Sequence, residues 1–534
     1  MQIPPTIPAS GSEPAPHPGS HVMPRWDLGE LPPAPRFTAK SWALLIGPGL
    51  VTGGAAIGGG EWLLGPLVAA RYGGALLWLT TLSILGQVIY NLEISRYTLY
   101  TGEPIFVGKF RVPPGPRVWI WTYLVLDFGS IFPYLAANAA TPLAAAFLGR
   151  IPFEDGTFSF AGHAWSDRSF VQALRYVCFL VALVPLTVGG KVYRSLKVVM
   201  AVKIVVVFGF LGFLAFFYSS AGTWREIGTG FIAFGTVPAE RGEGGVDNLF
   251  AAWWAGRPMP AIDLTMIGFL AALAAVAGNG GLTSASVSAY TRDQGWGMGS
   301  LVGAVPSLVG GRRLKLSHVG MVFPVTPESV ARFRGWFRHV LRDQLVVWMP
   351  ACFIGVALPS MLSIQFLPRG TQASDWSMAA MTADAVAGAI GGRTGAFCWF
   401  MTLFCGFLVL APSGAAAADG FLRRWVDVFW TGSVRLRKLE PERIRQVYFG
   451  VLCAYTVFGL IALSLAPPRH LILWATVLYN YVLGVSCWHT VAVNAILLPP
   501  ELRPGWAVRI ALVLTGMFFT ALAVITTINT LGLM

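Results

Sequence analysis

Two glycine clusters interrupt long apolar stretches, and each runs directly into polar groups. The first is Gly58, Gly59 and Gly60, followed by Glu61; the second is Gly278, Asn279, Gly280 and Gly281, followed by Thr283, Ser284, Ala285 and Ser286. Adjacent glycines lower the cost of unwinding a helix. An unwound stretch frees backbone carbonyls and presents the amide end of the half-helix that follows. Glu61, the Asn279 side-chain carbonyl, Thr283 or Ser284, and carbonyls freed around Gly58 and Gly278 make a set of oxygen donors, which is what a hard cation such as Mg²⁺ takes. Mn²⁺ suits the same donors, and the absence of Met and Cys from both clusters argues against a softer metal. The room left by so many glycines also admits a small organic solute. The competing reading is that the glycines only let helices pack closely, as small residues do in membranes.

Other ionisable residues lie inside apolar runs, where a carboxylate needs a partner, hydration or a proton. Asp127, followed by Gly129, Ser130 and Pro133, is either part of a proton pathway or one half of a structural ion pair, with Arg96 or Lys203 as partner. Glu93 and Arg96 are three apart, a spacing that suits a mutual pair on a helix and a gate or anchor. Glu61 itself is a cation or substrate ligand, a cap of the break, or a proton-coupling acid. Asp419 falls just past an apolar run and is expected at the interface. His489, near Ser486 and Asn494 with no acidic neighbour in sequence, reads as a packing residue.

The elements that position these groups follow from composition. The chain has 534 residues, 55% hydrophobic and only 12% charged, against roughly 25% charged in an ordinary soluble domain. The apolar runs recur at bilayer-spanning length. Eleven spans are expected, at 41–70, 74–100, 117–148, 170–188, 196–219, 262–291, 341–363, 394–416, 446–466, 471–498 and 507–531. Continuous runs such as Val198–Phe217 do not alternate, which excludes a β-barrel, and a spanning backbone must satisfy its own hydrogen bonds, which helices do. Residues 1–40 hold ten prolines and are expected to be a disordered tail. A first transmembrane repeat then covers 41–219 (spans 1–5), an external loop 220–261, a second repeat 262–500 (spans 6–10), and the eleventh span 501–534. Residues 374–389 suit an amphipathic helix at the external surface. Placing the tail in the cytoplasm puts most of the 38 basic residues on that side, including Lys191, Arg194, Lys197, Arg312, Arg313, Lys315, Arg332, Arg334, Arg338, Arg435, Arg437 and Lys438. The net charge of +13 is thus a topology signal and calls for no nucleic acid. The chain is expected to be a multi-pass protein of the cell (inner) membrane.

Spans 1 and 6 each open one half of a ten-helix core, and interrupted helices at corresponding places in two halves point to a transporter binding site. At this level a family resemblance emerges. Gly47-Pro48-Gly49-Leu50, Ala56 to Glu61, Gly73 to Trp78, Gln87, Trp119 with Asp127, and Tyr193-Arg194-Ser195-Leu196-Lys197-Val198-Val199-Met200 resemble the Nramp family of proton-coupled divalent-metal transporters. The resemblance runs from about residue 41 to the last span and is thinnest in the loops and in spans 7–11. It implies a LeuT-like fold of the APC superfamily: two inverted five-helix repeats, alternating access and an additional eleventh helix. It also implies an altered ligand set. Where the family reads Asp-Pro-Gly-Asn in span 1, this chain has Gly58, Gly59, Gly60 and Glu61, so the metal-binding Asp is replaced and Glu61 takes the Asn position. Where it reads Met-Pro-His-Asn in span 6, this chain has Gly278, Asn279, Gly280 and Gly281, without the thioether or the histidine. Asp127 matches an acid of the family's proton pathway, and Ser130 stands at the partner Glu position.

Three functions remain in view. The first is a secondary transporter of divalent cations, Mg²⁺ or Mn²⁺, with proton symport. The second is a carrier of an amino acid or other small organic solute on the same scaffold. The third is a non-transporting receptor or scaffold, which would not need to keep Glu61 and Asn279 at the breaks. No HExxH, GxSxG or Walker A sequence occurs, so neither hydrolysis nor a cofactor is implied, and transport would run on gradients across the bilayer.

Overall fold

The computed structural model describes residues 19–38, 49, 52–54, 58–160, 162–187, 192–239, 244–302, 319–372, 378–433, 436 and 444–533. It is a helical bundle. The helices are α1 (Gly59–Tyr72), α2 (Trp78–Thr101), α3 (Ile105–Arg111), α4 (Pro116–Leu126), α5 (Tyr134–Leu148), α6 (Asp167–Thr187), α7 (Val192–Tyr218), α8 (Ala221–Ile232), α9 (Leu249–Trp254), α10 (Ile267–Val276), α11 (Ser286–Asp293), α12 (Gly299–Val302), α13 (Pro327–Arg342), α14 (Met349–Phe366), α15 (Met381–Ile390), α16 (Gly392–Gly432), α17 (Ile444–Leu465), α18 (Pro468–Leu497) and α19 (Trp506–Thr530). Among the described residues, three two-stranded pairs decorate it: β1 (Asp27–Leu28) parallel to β6 (Met321–Val322), and the antiparallel pairs β2 (Thr157–Phe160) with β3 (His163–Ser166) and β4 (Thr236–Pro238) with β5 (Val246–Asn248).

Among the described residues, seven helices are long and apolar enough to cross a bilayer, and nine cross if each of two bent pairs counts as one span. One bent pair combines the segments expected as spans 1 and 2, which meet at 94° through a 3₁₀ turn at Gly73–Leu76. Helices occupy all eleven expected positions, although Ser41–Gly58 is described only at Gly49, Thr52–Gly54 and Gly58. Burial sorts them by depth. Every residue of α10 from Phe269 to Val276 is buried, as expected of a helix that is apolar all round. By contrast, α19 is largely exposed on the outside of the bundle. The site-bearing helices α1 and α10 therefore sit at the centre, packed against α14 and α18.

Four expectations are corrected. Residues 19–38, expected to be disordered, are packed: Met23, Trp26 and Leu31 are buried and β1 pairs with β6; residues 1–18 lie outside the described residues. Span 3 is not continuous. A 3₁₀ turn at Asp127–Ile131 and extended backbone at Phe132 separate α4 from α5, because Pro133 cannot donate an amide to a continuing helix. Span 8 does not end near residue 416; α16 runs for 41 residues, about 60 Å at 1.5 Å per residue. Asp419 therefore lies in its interior and is buried, not interfacial. The helix expected at 374–389 is present over Met381–Ile390, with Thr382, Ala383 and Val386 on its buried face; residues 374–377 lie outside the described residues. The basic residues Lys191, Arg312, Arg313, Lys315, Arg435, Arg437 and Lys438 lie outside the described residues.

Candidate functional site

Glu61 stands in the first turn of α1 and belongs to both breaks at once. Its Oε2 accepts the amide of Gly58 (3.2 Å) and its Oε1 accepts the amide of Gly278 (3.2 Å). One carboxylate thus satisfies an orphan donor of each interrupted helix. The glycines make the approach possible. A Cβ at Gly60 would lie 2.2 Å from Cγ2 of Val276, and Gly278 holds φ +108°, a region L-residues rarely adopt, with the Gln87 amide where a Cβ would go.

Gln87 is the organiser that reading by motif left out of the site. From the middle of α2 its Nε2 donates to the Ala277 carbonyl (2.7 Å) and to Ser83 Oγ (2.9 Å), while its Oε1 accepts from the Asn279 amide (3.2 Å) and from Ser284 Oγ (3.0 Å). Ser83 Oγ in turn donates to the carbonyls of Ala274 (2.6 Å) and Ala277 (3.2 Å). Two side chains of span 2 therefore replace the hydrogen bonds that span 6 loses on unwinding. The Asn279 side chain faces elsewhere: with its carboxamide oriented to satisfy both neighbours, Nδ2 donates to the Thr52 carbonyl (2.7 Å) and Oδ1 accepts from Trp348 Nε1 (3.1 Å), tying span 6 to the first half of span 1 and to span 7. Thr283 contributes its backbone amide, donated to the Gly280 carbonyl (3.1 Å).

The space beside Glu61, lined by Gly58, Trp62, Val207, Phe208, Leu211, Gly355, Pro359 and Val409, has no room for a water molecule. Lys203, fully buried on α7, acts electrostatically on Glu61 and donates to Ser413 Oγ (2.8 Å). Neither break holds a cysteine or methionine in sequence, and the fold packs Cys352 of α14 as a small hydrophobe in one cluster with Ala277 and Trp348. Among the described residues no three His, Cys, Asp or Glu side chains gather as a metal centre. A cation taken here would replace the two amides on Glu61 and complete its shell with backbone carbonyls and hydroxyls.

The remaining expected residues are off this site. Asp127 pairs with Arg424 (3.3 Å), and also accepts from Ser130 Oγ (2.5 Å) and Trp425 Nε1 (3.0 Å). Its partner is neither Arg96 nor Lys203, because span 8 continues far enough to bring Arg424 to the break in span 3. Glu93 and Arg96 form their pair (2.9 Å), joined by Asn494 Nδ2 (2.9 Å) and anchored by Arg96 to the Leu502 carbonyl (3.2 Å). His489 is packed between aromatic rings, its centroid 3.8 Å from that of Trp119, and its Nδ1 pairs with the Tyr123 hydroxyl (3.0 Å).

No protein-family model matches the chain, and no curated protein is similar to it at a significant level. Solved structures are similar in fold. A manganese transporter of Eremococcus coleocola in complex with an aromatic bis-isothiourea substituted compound aligns over 92% of this chain and 88% of its own, with a TM-score of 0.53 and 13% identity. Two single-residue variants of the same transporter align over 94% and 89%, each with a TM-score of 0.52 and 13% identity. The chain shares the polytopic helical fold of that transporter.

Proposed function

We propose that this chain is a secondary membrane transporter of divalent cations, Mg²⁺ or Mn²⁺, whose site lies where spans 1 and 6 break. The observation that carries the reading is the single carboxylate of Glu61 bound to the amides of Gly58 and Gly278. It is the group whose contacts must change if either half-helix moves. The likeness in fold to a manganese transporter and the resemblance of the motifs to the Nramp family support the same conclusion, and the inverted five-helix repeat that this family implies is part of the proposal. The closed space beside Glu61 also favours an ion stripped of water over an organic solute, because a bare ion needs the least rearrangement. Proton symport belongs to this reading through Asp127, whose carboxylate would have to part from Arg424 to take a proton.

The test is uptake by the full-length protein in proteoliposomes, with Mg²⁺, Mn²⁺, Ca²⁺ and a panel of amino acids as cargo and a proton gradient imposed or absent. Uptake of Mg²⁺ or Mn²⁺ is expected, and Glu61→Gln should abolish it. The amide retains one acceptor oxygen, so the variant should still fold, with a lower thermal midpoint because one of the two backbone amides loses its partner. Full uptake by Glu61→Gln, or uptake of an amino acid with no divalent cation transported, would overturn the assignment.

A further inference from the structure

Residues 19–38 lie in an extended path across one end of the bundle, the end that the basic residues place in the cytoplasm. We propose that this segment is a strap that holds that end closed, and that the site opens toward it only when the strap lets go. The inference does not depend on which cargo is carried.

The strap is held along its whole length. At its start the Ser20 amide donates to the Arg111 carbonyl (2.7 Å), and Arg111 Nη1 donates to the Pro24 carbonyl (2.7 Å) with its guanidinium over the Trp26 ring (4.9 Å). In the middle, Asp27 and Leu28 pair in register with Met321 and Val322. Toward its end the carbonyls of Leu31, Pro32 and Pro35 are met by Arg332 (2.8 Å), Trp336 Nε1 (2.8 Å) and His339 Nε2 (2.8 Å).

The anchors belong to different parts of the bundle. Arg111 ends α3, which packs on α2, α4, α16 and α18, that is, on spans 2, 3, 8 and 10. Arg332, Trp336 and His339 lie on α13, which packs on α2 and leads into span 7. Both anchors meet at α2, and a segment fixed to both also ties spans 3, 8 and 10 to the lead into span 7. Its far end also precedes span 1, whose Gly49 amide is held by Asp343 Oδ2 (2.6 Å) just past α13. The segment that follows the strap's last anchors on α13 thus also holds the stretch of span 1 whose Thr52 carbonyl meets Asn279.

The proline content suits this role. Proline fixes φ and removes a donor, so an extended proline-rich chain keeps its carbonyls outward and ordered before binding, the same economy used in recognition of polyproline segments. The role requires that the attachment be reversible. A two-residue strand pair has little stability of its own, and the receiving surface is preformed. Arg111 is held by Glu103 (2.6 Å), which is held in turn by the Gly320 amide (3.0 Å). Burial pushes the Glu103 carboxyl up, and the Arg111 guanidinium overrides it and holds the group below the usual carboxylate range, so the pair stays ionised and the receiving surface intact at neutral pH.

Two variants of the full-length protein in lipid nanodiscs test the strap, read by hydrogen exchange at 278–288 without any cargo. Leu28→Cys with Val322→Cys lies in register on the strand pair and can be closed as a disulfide. Oxidation should slow exchange at 278–288 by roughly tenfold and reduction should restore it. Arg332→Gln with Trp336→Phe removes two anchors and should raise exchange there by roughly tenfold, leaving Gly73–Leu76 at the opposite end unchanged. Unchanged exchange at 278–288 in both the locked and the released variant would overturn the proposal. So would faster exchange at both ends in the released one.

Discussion

At the scale of single residues, the candidate site is a set of polar groups that satisfy one another. Glu61 was legible from sequence, because a carboxylate after three glycines in an apolar run has few structural reasons to exist. Gln87 was not assigned to the site, although it carries more of it: its four partners, apart from Ser83, lie about 190 positions away in the chain. Gln87→Ala would leave the Ala277 carbonyl with only the longer bond from Ser83, and the Asn279 amide and Ser284 hydroxyl without their acceptor. Each buried group left unpaired costs roughly 1–3 kcal/mol. The expected outcome is a clear fall in the thermal midpoint of the purified protein. Gln87→Glu, which keeps the acceptor, should preserve the Asn279 and Ser284 bonds and lose the contact with Ala277. Equal midpoints for Gln87→Ala and the wild type would show that the break in span 6 is held by something else.

Elements show why the breaks fall where they do. Glycine clusters announced the interruptions in spans 1 and 6, and the closeness of the two helices is what those glycines serve. Gly60→Ala improves helix propensity by about 1 kcal/mol but places a Cβ 2.2 Å from Val276 Cγ2 and 2.4 Å from its Cβ. Overpacking of this kind costs roughly 1–3 kcal/mol, so the variant should be less stable, with weaker uptake. Val276→Gly in the same chain removes both offending atoms and should recover part of the loss; Val276→Ala leaves the Cβ in place and should recover little. Thermal unfolding of the four proteins reads this directly, and equal recovery by the two double variants would mean that the helices do not touch there. The break in span 3 escaped notice because its signals, Gly129 and Pro133, are single residues in a run otherwise apolar enough to cross the bilayer. Residues 19–38 misled in the other direction. Their composition cannot build a core of its own, and they are ordered by a surface made elsewhere in the chain.

Across the whole molecule, the break in span 3 is fastened to the long helix of span 8 by Asp127 and Arg424, both nearly fully buried. Removing one partner of such a pair costs roughly 3–5 kcal/mol, because the other charge is left unpaired. Asp127→Asn and Arg424→Gln should each lower stability by this order, and the double variant should lose less than the sum of the two. Additive losses would show that the two groups do not act on each other. The amino-acid sequence alone determined the membrane class, the helical content and the two glycine breaks, because hydropathy and glycine conformational freedom act locally and can be read from neighbouring residues. It also brought Glu61 forward, since a buried carboxylate stands out wherever it is. What only the tertiary structure decided were the pairings: Glu61 with Gly278, Gln87 with the break in span 6, Asp127 with Arg424, and the N-terminal segment with α3 and α13. Each joins residues many turns apart, and a hydrogen bond or ion pair depends on distance and direction in space, which the order of residues along the chain does not contain.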